Sequence, residues 1–385
     1  MSDPNNNPEA NAVPRLVAQL AAWYRDAAVT VFSTLVLFMT FILLSYAYYA
    51  IPGKEDWKVY SKDFRPRALH RMETNEALSF FKEFDRLGQD ETYVYQPWVG
   101  FSERIFHSPR LNVDEAQPLP IRRTVKKGPD GSGRPLVIWT FGGSTMFGWG
   151  VPDDETIPSH LSAILARELR TRNVSVVNHG HSYYFSSQEL MLFQMLLRRG
   201  ERCDVAVFLD GLNDSFPYSI QDVPAFADRM AVAMKREQQR NPTAQTFFWV
   251  SPDFPPVRLI AGVGRRLVRK PVSRAAEMPA LDVSPDVSTY EFNLRADVAL
   301  GNVYGVKTLF FWQPVPGDPL YAPARELAGK IRHTVAAGDF HYIADIFQDT
   351  DPSDVYVDYH HYGDVASERI AQTIAQEVLS VLPRD

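Results

Sequence analysis

The stretch Leu136-Val-Ile-Trp-Thr-Phe-Gly-Gly-Ser-Thr-Met-Phe-Gly148 decides the fold of this 385-residue chain. Its first six residues form an apolar run that predicts a buried strand, and two glycines follow directly. A serine in a sharp glycine turn at the end of a strand exposes its hydroxyl group at the start of the next helix. A glycine turn that only joins strand to helix, or that cradles a phosphate, has the same composition. A Walker-type phosphate loop is excluded, because no Gly-Lys-Ser/Thr triplet follows.

Strands and helices alternate beyond this turn. Further apolar runs predict strands over 174–177, 205–209, 307–312 and 342–346. Apolar residues at helical spacing predict helices over 157–169, 190–197 and 365–382, the second of them preceded by a capping box of Ser186 and Glu189. This alternation predicts an α/β fold, a three-layer αβα sandwich with a parallel sheet of about five strands. Such sheets bind ligands at the carboxyl ends of their strands, where the glycine turn lies.

The flanking segments predict the domain organisation. We expect an N-terminal tail over 1–26, a transmembrane helix over 27–52, a lead-in segment over 53–134 that wraps the domain, and the main domain over 135–385. An insertion at 217–300 interrupts the main domain, with a helical stretch over 225–237 and an apolar segment over 247–250. Its basic run from Arg265 to Arg274 could meet an anionic glycan or lipid headgroup, or could be a solvated helix face.

The predicted membrane helix carries no charge and is apolar on every face. It is long enough for a hydrocarbon core of about 30 Å, and Trp23, Tyr24, Tyr46, Tyr48 and Tyr49 flank it as interfacial aromatics do. A cleaved signal peptide is the alternative, although the run is long and starts late for one. Six basic residues between Lys54 and Arg71 favour a cytoplasmic main domain by the positive-inside rule, but long domains can translocate regardless of charge.

Composition excludes some classes of function. The net charge of −6 argues against a nucleic-acid-binding protein, which would need a basic surface. A single cysteine, Cys203, excludes an internal disulfide and a metal site built on several cysteines. Because Cys203 precedes an apolar strand, we expect a buried structural thiol.

Three more motifs follow predicted strands or precede the last helix. Gly180 in Asn-His-Gly follows the second strand, and its N–H could donate to an oxyanion. Gly211-Leu-Asn-Asp214 follows the third strand, and the Asn213 amide could be another donor. Asp358-Tyr-His-His361 precedes the last helix, where an aspartate and a histidine three residues apart can orient one ring towards a serine. Each motif alone could equally be a plain turn or a surface pair.

Together and in this order, the four motifs resemble those of the SGNH (GDSL-type) hydrolases over residues 136–382, which implies a flavodoxin-like sandwich. The resemblance implies Ser144 as the nucleophile, His361 as the general base and Asp358 as the acid that orients it. It also implies an oxyanion hole made by the N–H groups of Ser144 and Gly180 and the amide of Asn213. One departure is Gly143, where the family usually has aspartate. His360, His179 and His181 are competing bases, but the Asp-x-x-His spacing selects His361.

We therefore expect a membrane-anchored serine esterase that hydrolyses an acyl ester through a covalent acyl-enzyme. The family acts on esters of lipids and sugars, so the expected partner is an acyl-ester substrate such as an O-acetylated glycan or a lipid-linked molecule. No metal, organic cofactor or nucleic acid is expected. We expect the catalytic domain on the periplasmic or outer face. The alternatives are an O-acyltransferase that uses the same triad, and a catalytically silent membrane scaffold.

Overall fold

A computed structural model describes residues 8–50, 64–87, 92–125, 132–170, 172–216, 222–228, 287–317, 321–334 and 340–383, with a few isolated residues from 219 to 260. The chain divides into two compact units, one of residues 1–56 and 240–276, and one of residues 57–239 and 277–385. Most of the predicted insertion, including the segment 247–250 and the basic run 265–274, lies outside the described residues.

The first unit contains the helix α1, Pro8–Ala50. Its segment Val17–Tyr48, 32 residues long, has the length and apolar character that a membrane span needs. Polar side chains along it are satisfied within the helix: the hydroxyl groups of Thr34 and Thr40 each donate to the carbonyl four residues before, at 2.8 Å. The helix begins earlier than the expected bound of residue 27, so the segment predicted as a tail is helical from Pro8 onward.

The second unit holds the remaining helices and strands. The helices are α2 Thr74–Leu87, α3 Ser144–Phe147, α4 Ile157–Glu168, α5 Ser186–Arg198, α6 Val287–Tyr304, α7 Ala322–Thr334, α8 Pro352–Val355 and α9 Asp364–Val381. The strands are β1 Tyr93–Gln96, β2 Gly100–Glu103, β3 Phe106–His107, β4 Asn112–Asp114, β5 Ile121–Arg122, β6 Ser132–Gly142, β7 Arg172–Asn178, β8 Val205–Asp210, β9 Lys307–Trp312 and β10 Phe340–Tyr342.

Eight of these strands form one sheet in the order β10-β9-β8-β6-β7-β5-β4-β3. The strands from β10 to β7 are parallel, so the predicted parallel sheet of about five strands is confirmed. The strands β5, β4 and β3 extend it in antiparallel fashion beyond β7. They come from the lead-in segment, which also forms a separate antiparallel hairpin of β1 and β2.

Helices cover both faces of the parallel strands, as the predicted three-layer sandwich requires. Every residue of β8 is buried, as expected for a central parallel strand covered on both faces. One apolar layer joins the sheet to α4 and α9, with Leu161 and Ile370 among its buried residues. The other joins the sheet to α5, α6 and α7, with Leu192, Leu294 and Ile331 among its buried residues. Cys203 is buried in this second layer as a free thiol.

Two expectations for this region need correction. The insertion was expected to reach residue 300. However, α6, which lies between β8 and β9 along the chain, packs against the sheet, so residues from Val287 onward belong to the sandwich itself. The fifth strand was expected over 342–346 and instead covers Phe340–Tyr342, where it pairs with β9. The helical stretch 225–237 is only partly described.

The start of α5 also differs from the expected capping box. Ser186 is the first residue of the helix, and its N–H donates to a carboxylate oxygen of Asp214 at 3.1 Å. A carboxylate from a distant loop therefore satisfies a helix end that the sequence assigned to a local serine.

Candidate active site

Ser144 lies at the carboxyl end of β6, which is placed between β7 and β8 in the sheet. The strand ends at Gly142, whose φ of +155° is open to glycine but rarely adopted by other residues. Ser144 is the first residue of the short helix α3, so its N–H has no acceptor within that helix. The turn thus brings a hydroxyl group and a backbone donor to the same edge of the sheet.

Hydrogen bonds join three of the predicted residues in series. The Nε2 atom of His361 is 2.7 Å from the Oγ atom of Ser144, across 217 positions in the chain. The Nδ1 atom of the same ring is 2.7 Å from an Oδ atom of Asp358. Because a carboxylate only accepts, Nδ1 carries the proton and Nε2 is left to accept from the serine hydroxyl.

Asp358 is fixed by backbone donors as well. Its second oxygen accepts the N–H groups of His360 and His361, at 3.0 and 2.9 Å. Burial works to raise the pKa of this carboxyl, but the charge and hydrogen bond of His361 outweigh it and hold the pKa below its ordinary value. Asp358 is therefore ionised at neutral pH and can stabilise a positive charge on the ring of His361.

The amide of Asn213 adjoins the serine turn. Its Nδ2 atom donates to the carbonyl of Tyr184 at 2.7 Å, which uses one of the two N–H bonds of the amide. A Cβ atom on Gly143 would come within 2.3 Å of Nδ2, so a side chain there would displace Asn213. This close approach gives a physical reason for glycine at position 143, where the resembled family usually has aspartate.

Gly180 follows β7, as expected, but its N–H has a partner within the turn. Its N–H donates to the side-chain oxygen of Asn178 at 2.9 Å and is therefore already engaged. A Cβ atom at Gly180 would lie 2.6 Å from the backbone nitrogen of Phe147 and 2.8 Å from the carbonyl carbon of Met146. The glycine is thus required by tight packing of this turn against the helix that carries Ser144.

The three competing histidines do not contact Ser144 in the described structure. His179 is buried, stacks on Phe141 with ring centroids 5.4 Å apart, and has its pKa lowered to about 3 by burial and then by the nearby His181. His181 is buried and pairs with Glu103 at 2.7 Å. His360 lies beside His361 but bonds the hydroxyl group of Tyr321 at 3.0 Å. Of the four histidines near the motifs, His361 is the one that reaches the serine.

A cluster of buried carboxyls lies behind the Asn213 turn, formed by Glu189 on α5, Asp210 at the end of β8, Asp214, and Asp297 on α6. Burial, and then the charge of a neighbouring carboxyl, raises the pKa of Glu189 and Asp297 well above their ordinary values and that of Asp210 to about 7. Within the described residues no such group is arranged to hold a metal ion. From the sequence, Asp214 was predicted only as part of a turn and Glu189 only as part of a capping box, and Asp210 and Asp297 were not singled out.

Two polar residues near the turns were not predicted from the sequence. Glu103 at the end of β2 contacts the loop after β7, and Gln313 after β9 accepts from the hydroxyl group of Thr145 at 3.2 Å. Neither lies in a recognisable motif, because each is brought to the site by strand pairing across the sheet or by loops. A lone acidic residue among aromatics was the available signal for Glu103, and it is too common to be used alone.

Comparisons with known proteins found similarity at the level of solved structures. No family model and no curated protein matches the chain. The similar structures include a lipolytic protein of the G-D-S-L family from Desulfitobacterium hafniense, with 10% identity, 63% of this chain and 99% of that chain covered, and a TM-score of 0.35. A psychrotrophic esterase from Pseudoalteromonas sp. is also similar, with 12% identity, 64% of this chain and 97% of that chain covered, and a TM-score of 0.36. So is the lipase/acylhydrolase from Enterococcus faecalis, with 15% identity, 65% of this chain and 98% of that chain covered, and a TM-score of 0.38. At these scores the function has to be inferred from the geometry around Ser144.

Proposed function

We propose that this protein is a serine-dependent ester hydrolase that works through a covalent acyl-enzyme on Ser144. The observation that carries the proposal is the series of two hydrogen bonds, each of 2.7 Å, from Ser144 through His361 to Asp358. Three such side chains from two distant segments, in the order nucleophile, base and orienting acid, have little structural purpose other than activating a hydroxyl group.

In the proposed reaction, the Oγ atom of Ser144 attacks the carbonyl carbon of the ester while Nε2 of His361 takes its proton. The ionised Asp358 stabilises the imidazolium that forms. The N–H of Ser144 and the second N–H of the Asn213 amide donate to the oxyanion. His361 then returns the proton to the departing alcohol, and water, activated by the same ring, releases the acid from Ser144. We leave Gly180 out of the donor set, because its N–H is bound to Asn178.

The substrate class that we propose is an acyl ester of a glycan or of a lipid-linked molecule, such as an O-acetyl group. The proposal rests on α1, which has the length and apolar character to anchor the protein beside a membrane surface. We further propose that α1 stays in the membrane and that the catalytic unit faces the periplasmic or outer side. Digestion of intact spheroplasts tests this placement, and protection of the large unit from protease would contradict it.

The activity is tested with p-nitrophenyl esters and acetylated sugars, together with labelling by a fluorophosphonate probe. Ser144→Ala should abolish labelling and lower turnover to the level that the oxyanion donors and binding alone support. Ser380→Ala, which removes an exposed hydroxyl group on α9, is the matched control and should label like the wild type. Full esterase activity in Ser144→Ala would refute the assignment. A folded wild type without labelling would favour the scaffold alternative.

An O-acyltransferase would use the same three residues and pass the acyl group from Ser144 to a sugar hydroxyl instead of water. An assay with an ester donor and a sugar acceptor separates the two activities. Hydrolysis that exceeds transfer at saturating acceptor supports the esterase, and the reverse result supports the transferase.

A further inference from the structure

Glu103, at the end of β2 in the lead-in segment, is fully buried and holds the loop that follows β7. One carboxylate oxygen accepts the N–H of Ser182 at 2.7 Å, and the other lies 2.7 Å from Nδ1 of His181. These contacts join residues 78 and 79 positions apart in the chain. A buried carboxylate with two such partners fixes both the direction of a backbone donor and the plane of a ring.

The loop held by Glu103 is a tight turn of residues 181–184. Its closing bond runs from the N–H of Tyr184 to the carbonyl of His181, at 3.2 Å. Tyr183 has φ of +65°, in the left-handed region that non-glycine residues rarely adopt. A conformation of this kind is strained and persists only where surrounding contacts enforce it. Glu103 supplies two of those contacts.

The turn leads directly to the proposed oxyanion donor. The carbonyl of Tyr184, the last residue of the turn, accepts from the Asn213 amide at 2.7 Å. That bond fixes the rotation of the amide, and so fixes where its second N–H points. The hydroxyl group of Tyr184 donates to the carbonyl of Phe101 on β2, so the lead-in segment holds this turn at both ends.

We propose that Glu103 is a positioning residue for catalysis, which acts by holding turn 181–184 so that the carbonyl of Tyr184 aims the Asn213 amide at the reacting carbonyl oxygen. This inference rests on the proposed esterase function. It assigns a role in the reaction to the lead-in segment, which carries none of the four motifs.

The state of Glu103 fits this role. Burial works to raise the pKa of its carboxyl, but the hydrogen bond and charge of His181 and the N–H of Ser182 outweigh burial and lower the pKa. The carboxylate is therefore ionised at neutral pH and accepts from both partners at once. In this arrangement Nδ1 of His181 carries the proton.

Glu103→Ala in the full-length protein should lower kcat for p-nitrophenyl acetate about tenfold or more, with KM changed less than about twofold. The ceiling is the roughly hundredfold loss expected for removal of one oxyanion donor, as in Asn213→Ala. Glu103→Gln keeps an oxygen for the N–H of Ser182 and should restore most of kcat. Glu83→Ala is the matched control: this glutamate accepts from Ser108 and from the backbone and side chain of Arg110, all within the lead-in segment. Its kcat should equal that of the wild type.

The double variant Glu103→Ala/Asn213→Ala separates positioning from a general structural role. If Glu103 acts through Asn213, adding Glu103→Ala to Asn213→Ala should change kcat less than about twofold. If the losses of kcat from the two single substitutions multiply in the double variant, the proposal is overturned. A folded Glu103→Ala protein with the kcat of the wild type would overturn it as well.

Hydrogen exchange of the segment 180–186 gives a readout that does not need activity. Exchange should accelerate at least about tenfold in Glu103→Ala and remain slow in Glu83→Ala. Unchanged exchange in a folded Glu103→Ala protein overturns the role of Glu103 in holding the turn. If the wild type hydrolyses no ester and does not label, while exchange responds as expected, then the proposed function has failed and the holding contact stands.

Discussion

Replacing Glu189 with glutamine should make the protein more resistant to mildly alkaline conditions. Glu189 is 1% exposed and faces Asp210 and Asp214, and its pKa is raised well above the ordinary value by burial and then by the charge of Asp210. It is therefore protonated in the folded protein at neutral pH, whereas in the unfolded chain it is ionised above a pH of about 4. Glutamine is nearly the same shape and stays neutral at every pH.

The sign of the effect follows from the protons bound in each state. A carboxyl whose pKa is raised by folding contributes stability that is complete below its unfolded pKa and is lost as the pH rises through its folded pKa. Between these two values the free energy of unfolding falls by about 1.4 kcal/mol per pH unit for each such group. Asp297 acts in the same direction as Glu189, and Asp210, with its pKa raised to about 7, is half titrated at neutral pH.

The free energies of unfolding of the two proteins are best compared between pH 7 and 8.5. His179, whose pKa is lowered by burial, contributes stability that rises with pH up to the ordinary histidine value of about 6.5, so it is constant above pH 7. In this window the free energy of unfolding of the wild type should fall. The fall should be shallower in Glu189→Gln, by at most about 1.4 kcal/mol for each pH unit over which Glu189 keeps its proton in the folded protein.

Urea unfolding in a mild non-ionic detergent measures the free energy of unfolding at each pH. The fluorescence of the buried Trp139, Trp149 and Trp312 reports the transition. The dependence on urea should have the same slope in both proteins, so that midpoints can be compared. Glu201→Gln is the control, because Glu201 pairs with Arg199 on the surface just beyond α5, and its curve should run parallel to that of the wild type. Parallel curves for Glu189→Gln and the wild type would refute the reasoning.

Three further predictions concern the site and its support. Asp358→Asn should lower kcat by up to about ten-thousandfold with a smaller change in KM, measured with p-nitrophenyl acetate, because the amide favours the wrong tautomer of the ring; a loss of less than about tenfold would contradict the proposed role. Gly180→Ala should lower the free energy of unfolding by about 1–3 kcal/mol in urea titrations, since its Cβ atom would press on the backbone of Phe147, and an unchanged midpoint would contradict this. Arg122→Met should lower the free energy of unfolding by about 3–5 kcal/mol, because Asp153, now 2.9 Å from the guanidinium group, would remain buried with its bonds from Asn112 but without a cation; retention of wild-type stability would show that the ion pair is dispensable.

The sandwich could be predicted from the sequence because its strands are continuous apolar runs. The strands from β6 to β9 are six or more residues long, β8 and β9 are buried along almost their whole length, and apolar runs predicted all four to within about four residues. The strands β3 and β5 are two residues long, too short for any period to show. They exist because β7 offers a free edge, which is a property of the assembled sheet.

The candidate site also contains residues that local motifs predict and residues that depend on contacts between distant segments. Ser144, Asn213, Asp358 and His361 stand in short motifs directly after strands or before a helix, where the chain order alone predicts a shared edge. Glu103 and the cap that Asp214 provides for α5 depend on contacts between distant segments, and no local pattern encodes them. Gly180 was predicted as an oxyanion donor, but its N–H is bound to Asn178, and the position has no room for a Cβ atom beside the backbone of Phe147.

The wide separation of Ser144 and His361 along the chain sets the time at which the site can first form during synthesis. A ribosome adds about 5–20 residues per second, so the 217 positions between them take about 10–45 s to make. The residues of the serine turn and of the turn 181–184 are made before His361, so the proposed nucleophile precedes its base along the chain. The proposed nucleophile therefore has no proton acceptor until α6, α7 and the strands β8 to β10 have all been made.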